Sequence, residues 1–325
     1  MRKIVVIFTA AVLLLSLLGC GKAESYDENT PSDELAEESY TGAPVYIHKL
    51  CPGENEFWTV RCKFENGDFN NYLYRLDEED NEEYVQKLPW VGLPCAWNRE
   101  NERFYYLSEN DLCEYDPLTE EVIIYELEGE YSWVECSYDN RVYLINDKTW
   151  EDTLFLIDTG EETQTAIGRS PVIDKNEEYI IIEDNADASV SCYDAKTHTL
   201  LWKSAPFAVR TSVDACISGD KTYMSSDNSS GVFVRALDGD EDAVMTEIQS
   251  RTHAVADGGE YVVCAVRAYK SIEFKALYPD GRVEDIAVWD DVNFTLVGSV
   301  LLEVWNGKLY CTLTTEEGIF ICELP

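Results

Sequence analysis

The chain has 325 residues, 45% of them apolar and 12% aromatic, with 63 acidic against 25 basic side chains and a formal net charge of −38. A field of that sign repels nucleic acid and anionic lipid headgroups and attracts cations or basic partners, so a nucleic-acid partner is excluded. No Pro/Gly/Ser-rich linker divides the chain beyond residue 43, which favours one large domain over two small ones.

Met1-Arg2-Lys3 gives a positively charged start, Ile4 to Leu18 is uncharged, and Gly19-Cys20 closes the run with small residues. That is the layout of a secretory signal cleaved before Cys20. A membrane-spanning helix needs about 20 apolar residues, and this run supplies 15. Leu17-Leu18-Gly19-Cys20 resembles the lipobox of bacterial lipoproteins. The resemblance implies removal of residues 1–19, lipidation of Cys20, and an extracytoplasmic location on a membrane of the bacterial cell envelope. A single acyl chain anchors weakly, and a diacylated cysteine meets the two-signal requirement. Loss of Arg2 and Lys3 with the leader takes the net charge from −38 to −40.

After Cys20, residues 21–43 hold seven acidic side chains against Lys22, with almost no large aliphatics. Such a segment buries too little apolar surface to offset its ordering entropy, so residues 20–43 read as a lipidated, flexible tether. As a coil the segment spans roughly 25–30 Å, and charge repulsion extends it further.

Residues 44–325 are rich in Tyr, Val, Ile, Thr, Phe and Trp, in short runs between Asp/Asn/Gly clusters; the pattern is all-β. An aromatic opens an apolar strand at Trp58, Tyr105, Tyr143, Tyr179, Tyr223, Tyr261 and Tyr310, at an average spacing of 42 residues. Downstream of these come Asp77, Asp116, Asp158, Asp194, Asp238 and Asp280, each opening a turn. A period near 40–50 residues with several strands per unit predicts a seven-bladed β-propeller of four-stranded blades over 44–325. The last blade has only Leu309–Leu313 and Ile319–Glu323 for its later strands. It is either three-stranded or completed by residues near 37–42.

Tyr193-Asp194-Ala195-Lys196-Thr197, continuing to Leu200-Leu201-Trp202-Lys203, resembles a repeat of the quinoprotein-like β-propellers. The resemblance implies that Trp202 packs between blades. It departs from the usual Gly-Lys at His198-Thr199, and with one repeat of seven matching it carries no quinone; no cofactor is expected.

Of the 11 cysteines, ten remain after Cys20. None has the spacing of a zinc site, so no metal is expected. A four-residue turn at Thr315–Gly318 places Cys311 opposite Cys322, a candidate disulfide, and Cys51 and Cys62 flank the turn at Pro52-Gly53. Cys95, Cys113, Cys136, Cys192, Cys216 and Cys264 read as small buried apolar residues.

The chain has no Gly-x-Ser-x-Gly elbow, no His-Glu-x-x-His and no phosphate-binding Gly-rich loop. Asp238 to Asp242 is dense in acid but lacks the Gly and Glu positions of a calcium loop. Of three histidines, His48 falls in the first innermost strand, His198 in an outer turn, and His253 just before an innermost strand. Structural roles are favoured for all three. The loops between blades and those joining second to third strands share one rim, which is expected to carry Trp90, Trp150, Asp184, Arg251, His253 and Trp289. Aromatics with a few polar groups suit a glycan or peptide. The favoured function is a membrane-anchored, non-catalytic binding or scaffold module for an envelope protein or glycan. The alternative is an extracytoplasmic lyase or hydrolase of glycans that uses rim carboxylates and His253. With no catalytic residue identified, enzymatic activity stays open.

Cys20→Ala is expected to release the protein from membrane fractions or to leave an unprocessed precursor. Normal processing and membrane fractionation of that variant would overturn the lipobox reading.

Overall fold

The computed structural model describes residues 45–325 except 66, 78, 93–94, 147–151, 166–171, 185–188, 206–212, 227–230, 240–241, 293–299 and 314–317. The strands form seven antiparallel sheets in chain order. Blade 1 holds β1 (Val45–Pro52), β2 (Phe57–Glu65), β3 (Asp68–Leu76) and β4 (Glu82–Val91). Blade 2 holds β5 (Cys95–Asn98), β6 (Arg103–Ser108), β7 (Asp111–Tyr115) and β8 (Val122–Tyr125). Blade 3 holds β9 (Tyr131–Tyr138), β10 (Arg141–Asn146), β11 (Asp152–Leu156) and β12 (Glu162–Gln164). Blade 4 holds β13 (Val172–Lys175), β14 (Tyr179–Asp184), β15 (Ser189–Asp194) and β16 (Leu200–Lys203). Blade 5 holds β17 (Val213–Ser218), β18 (Lys221–Ser226), β19 (Phe233–Ala236) and β20 (Val244–Met245). Blade 6 holds β21 (Thr252–Asp257), β22 (Val262–Arg267), β23 (Ile272–Leu277) and β24 (Val283–Trp289). Blade 7 holds β25 (Val300–Trp305), β26 (Lys308–Leu313) and β27 (Phe320–Glu323).

Seven blades close into a propeller, as the repeat spacing predicts. Six are four-stranded, and the seventh has three strands among the described residues. Residues 37–42, the source of a fourth strand in one of the two alternatives, lie outside the description. The seven aromatics lie within the first three residues of the second strand of each blade or, in the case of Tyr261, immediately precede it. Trp58, Tyr105, Tyr143 and Tyr310 there are almost fully buried. They serve the blade faces, which a lone four-stranded sheet cannot bury by itself.

The turn aspartates have a local cause. Asp77 Oδ1 accepts the N–H groups of Glu79 and Asn81, both at 2.8 Å. Asp116 Oδ1 accepts from Leu118 at 2.8 Å, Asp194 Oδ1 from Thr197 at 2.7 Å, and Asp280 Oδ1 from Arg282 at 3.0 Å. Each is a side chain standing in for a backbone turn acceptor. The donated bonds hold Asp77 and Asp194 below the usual carboxylate range. Blade 3 differs: there Glu161 N–H donates to Thr159 Oγ1 at 3.4 Å.

Blade 4 bears out the role the resemblance implies for Trp202. Its ring is buried, donates Nε1–H to Leu237 O of blade 5 at 2.9 Å, and lies 4.5 Å under the Arg235 guanidinium. The departure at His198 also has a cause. His198 adopts φ +53°, the left-handed conformation that favours glycine. Its Nε2 is 2.9 Å from the Tyr143 hydroxyl of blade 3, a bond that offsets the backbone strain.

The C-terminal register differs from expectation. Cys311 stands opposite Phe320, and Cys322 opposite Leu309. The register is displaced by two residues from the one a four-residue turn at Thr315–Gly318 imposes, so the thiols are offset. Cys51 likewise faces Trp58, while Cys62 faces Tyr46. The ten described cysteines are free thiols, and all but Cys322 are buried. Burial pushes the Cys95, Cys192 and Cys264 thiols up, as befits small apolar packing groups.

The ring closes between blades 7 and 1 on aromatic packing. Phe57 stacks on Tyr310 at 4.2 Å and meets Trp305 edge-on at 5.4 Å, and Trp305 Nε1 donates to Gly53 O at 2.6 Å. Phe57→Ala is expected to cost about 3–5 kcal/mol in denaturant unfolding, with most of it restored in Phe57→Leu. A loss under about 1 kcal/mol, the level of a surface change, would place the closing energy elsewhere.

Candidate functional site: the central channel

The first strand of each blade lines the axis: β1, β5, β9, β13, β17, β21 and β25. Each is an edge strand whose outer N–H and C=O groups face the channel and need partners. Acidic side chains on these strands supply several. Glu135 Oε1 of β9 accepts from Val172 N–H of β13 at 3.1 Å. Asp174 Oδ2 of β13 accepts from Ile217 N–H of β17 at 2.6 Å. Asp214 Oδ2 of β17 accepts from Val255 N–H of β21 at 2.8 Å. Blade 3 is thereby linked to 4, 4 to 5, and 5 to 6.

Other groups bridge the remaining junctions. Lys49 of β1 donates Nζ–H to Cys95 O of β5 at 2.5 Å, and Trp97 of β5 returns Nε1–H to Pro52 O at 2.8 Å. Asn98 Nδ2 at the end of β5 donates to Ser137 Oγ and Asp139 O of blade 3, both at 2.9 Å. Blades 6 and 7 meet on stacked rings, with Phe320 at 5.0 Å from Phe274 and 5.7 Å from Trp289.

Bulges interrupt several of these strands. The innermost-strand registers skip one residue at His48 in β1, Glu135 in β9, Ile173 in β13 and His253 in β21. A bulge leaves the extra residue out of the ladder. His48 and His253 occupy the same height above their hairpins, in the two blades that flank blade 7.

The carboxyl groups of Glu135, Asp174 and Glu183 are all pushed above their ordinary range, chiefly by burial. Glu303 of β25 is the extreme case, raised from 4.5 to about 7. Burial is the largest cause; Asp174 and Asp214 add to it, while Arg99 and Lys175 oppose it. This ring of acids was missed in the sequence reading, though a signal was present. Val134-Glu135-Cys136, Val213-Asp214-Ala215 and Leu302-Glu303-Val304 each place one acid inside an apolar run in the first strand of a repeat.

The expected rim residues fare differently. Trp90 is only 4% exposed and stacks on Tyr106 at 4.7 Å, with Tyr115 edge-on at 6.0 Å. It is therefore a blade 1–blade 2 interface residue and not a ligand platform. Trp289, on Phe320, is the same kind of interface between blades 6 and 7. Arg251 is exposed just before β21, and its carbonyl accepts Arg267 N–H at 2.8 Å. His253 lies inside β21 and not before it, because β21 begins at Thr252. Asp184 ends β14 opposite Ser189. Trp150 lies outside the described residues. The channel wall brings His253 and the inner-strand acids onto one set of strands, and Trp90 and Trp289 do not join them.

The fold and the channel define a seven-bladed β-propeller. No family model and no curated protein matches the chain. Among solved structures it is similar to a chain of a mitotic checkpoint complex, 8% identical, with TM-score 0.61 over 94% of this chain and 99% of that one. It is also similar to Kuenenia stuttgartiensis hydrazine synthase, 10% identical, TM-score 0.60, covering 92% and 99%. A third is virginiamycin B lyase from Staphylococcus aureus, 7% identical, TM-score 0.57, covering 84% and 90%. At such identities the likeness is one of fold. An assembly, a synthase and a lyase share it, so the fold does not choose a function.

The sign of the Glu303 effect follows from linkage. A carboxyl whose pKa is higher in the folded state binds more protons there than when unfolded, so stability falls as pH rises from 4.5 to about 7. Glu303→Gln is expected to gain on the order of 1–3 kcal/mol over the native chain at pH 8 and nothing at pH 4. Unfolding at the two pH values measures this, and a gain that does not change with pH would refute it.

Proposed function

We propose that the protein is a membrane-anchored lipoprotein of the cell envelope, held by lipidated Cys20 and the tether of residues 20–43. Its propeller serves as a non-catalytic binding or scaffold module for an envelope protein or glycan. The observation that carries the reading is the commitment of the inner-strand acids: Glu135, Asp174 and Asp214 all hold backbone N–H groups of the next blade. An acid engaged in that way is a poor proton donor or acceptor for a substrate. The large negative charge supports a partner with basic surface.

Crosslinking in the intact envelope, followed by capture, tests this. The native chain is expected to yield a defined partner that the released Cys20→Ala form loses. Identical crosslinks from both forms, or none from either, would defeat the scaffold reading.

The second reading, a glycan lyase or hydrolase, is favoured by one observation. Glu303, with a pKa of about 7, titrates in the range that general acid–base catalysis uses, and it shares the innermost strands with the imidazole of His253, which sits at a bulge. Turnover of envelope glycans that is lost in both His253→Ala and Glu303→Gln would establish it. Turnover unaffected by either variant, or none at all, would remove it.

A further inference from the structure

The outermost strand of a propeller blade presents an open edge, and natural edges are blunted by Lys, Pro, inward charge or brevity. The outer strands of the six four-stranded blades follow that rule with one exception. β4 carries Lys87 and Pro89, β12 is Glu162-Thr163-Gln164, β16 ends in Lys203, β20 has two residues, and β24 carries Glu284 and Asp285. β8 is Val122-Ile123-Ile124-Tyr125, with no charge and no proline. Val122 is 41% exposed, Ile123 50% and Ile124 62%, and Leu118 in the preceding turn is 58% exposed.

The direction of its backbone groups can be derived. Asp116 N–H donates to Glu121 O at 3.0 Å, so these two form a hydrogen-bonded pair. In an antiparallel ladder the pairs alternate. Tyr115↔Val122 and Cys113↔Ile124 are then the non-bonded pairs, and the N–H and C=O groups of Val122 and Ile124 point away from blade 2. Two outward amides and carbonyls at strand spacing, under exposed aliphatics, are what an added strand requires.

We propose that the β8 edge is a docking site for an extended segment of a partner protein, an apolar stretch flanked by basic residues, added as a fifth strand of blade 2. The proposal rests on the scaffold reading above and names the surface and partner chemistry it would use. The charge of the flanks selects the occupant. Glu120 and Glu121 precede the strand, Glu126, Glu128 and Glu130 follow it, and no Lys, Arg or His occurs from residue 104 to 140. At about 3.3 Å per residue most of these acids lie within roughly one screening length, about 8 Å, of the strand ends. A second copy is disfavoured, since antiparallel pairing of two β8 edges centred on Ile123, which opposes the outward groups of Val122 and Ile124, sets Glu120 opposite Glu126, and facing like charges destabilise a sheet. The protein's own residues 21–43, with seven acids and one lysine, are disfavoured for the same reason.

The probes are two synthetic peptides with one alternating Val/Thr core, one flanked by two lysines at each end and the other by two glutamates. Binding to the full chain in detergent is read by titration, and the site by hydrogen–deuterium exchange. The Lys-flanked peptide is expected to bind at least about tenfold tighter than the Glu-flanked one and to slow exchange within residues 120–126. Ile124→Pro removes an outward N–H without taking a bond from blade 2, and is expected to weaken binding at least about tenfold. The double variant Glu121→Lys, Glu126→Lys leaves the ladder intact and is expected to reverse the preference between the peptides. Equal binding of both peptides, unchanged affinity in Ile124→Pro, protection outside blade 2, or no binding overturns the docking site. That result leaves the scaffold reading to its own envelope crosslinking experiment, which does not depend on β8.

Discussion

Seven edge strands face a common axis, and the backbone donors along those edges must be satisfied without a continuous ladder. Ring geometry splays neighbouring innermost strands too far for regular pairing, so side chains bridge the gap. Between blades 3 and 6 carboxylates do so, reaching from one innermost strand to the N–H of the next. An orphaned buried N–H costs about 1–3 kcal/mol, so these acids are worth more to the ring than their exposed counterparts. Between blades 7, 1 and 2 the solution changes to Lys49, Trp97, Trp305 and stacked Phe57 and Tyr310. The ring is thus closed by two chemistries, polar on one arc and largely aromatic at the chain's own seam.

That division sets the electrostatics of the axis. Burial raises the Glu303 and Asp174 carboxyls most, with smaller additions from Asp174 and Asp214 on Glu303 and from Asp257 on Asp174. Arg99 and Lys175 moderate the Glu303 shift without cancelling it. An acid held near neutrality is a cost of lining a narrow channel with charge, because burial disfavours the ionised form. The outer turn aspartates show the opposite behaviour: exposed and bonded to N–H donors, Asp77 and Asp194 sit low. Aspartates at the two radii therefore shift in opposite directions, Asp174 up by burial and Asp77 and Asp194 down by their donors.

The architecture was legible because its signals are local and periodic. An aromatic lies at or near the start of each second strand, an aspartate opens most third-to-fourth turns, and Trp202 follows one such turn by eight residues. Features set by a count across a loop were not legible. Cys311 and Cys322 are offset by two positions because where the turn falls, and not strand pattern, fixes register. Rim placement of Trp90 and Trp289 failed for another reason: a tryptophan near a strand end reads the same whether its ring faces solvent or the next blade, and the neighbouring rings decide it. Bulges at His48, Glu135 and His253 leave no composition signal, since they are a mismatch between two strands and not a property of either.

The radial arrangement also bears on where recognition can occur. Polar groups near the axis are drawn into holding the ring, and large rings between blades are drawn into packing. What remains free lies at the periphery, where outer strands meet solvent and differ most from one another in sequence. Lysine and proline on β4, and brevity in β20, discourage pairing there. On β8 the edge stays apolar while acids crowd its two ends. Acids in that position prevent self-association as well as any lysine would, yet leave the edge open to a segment of opposite charge. A strongly acidic protein gains specificity from that asymmetry: its own copies are repelled at the same edge that admits a basic strand.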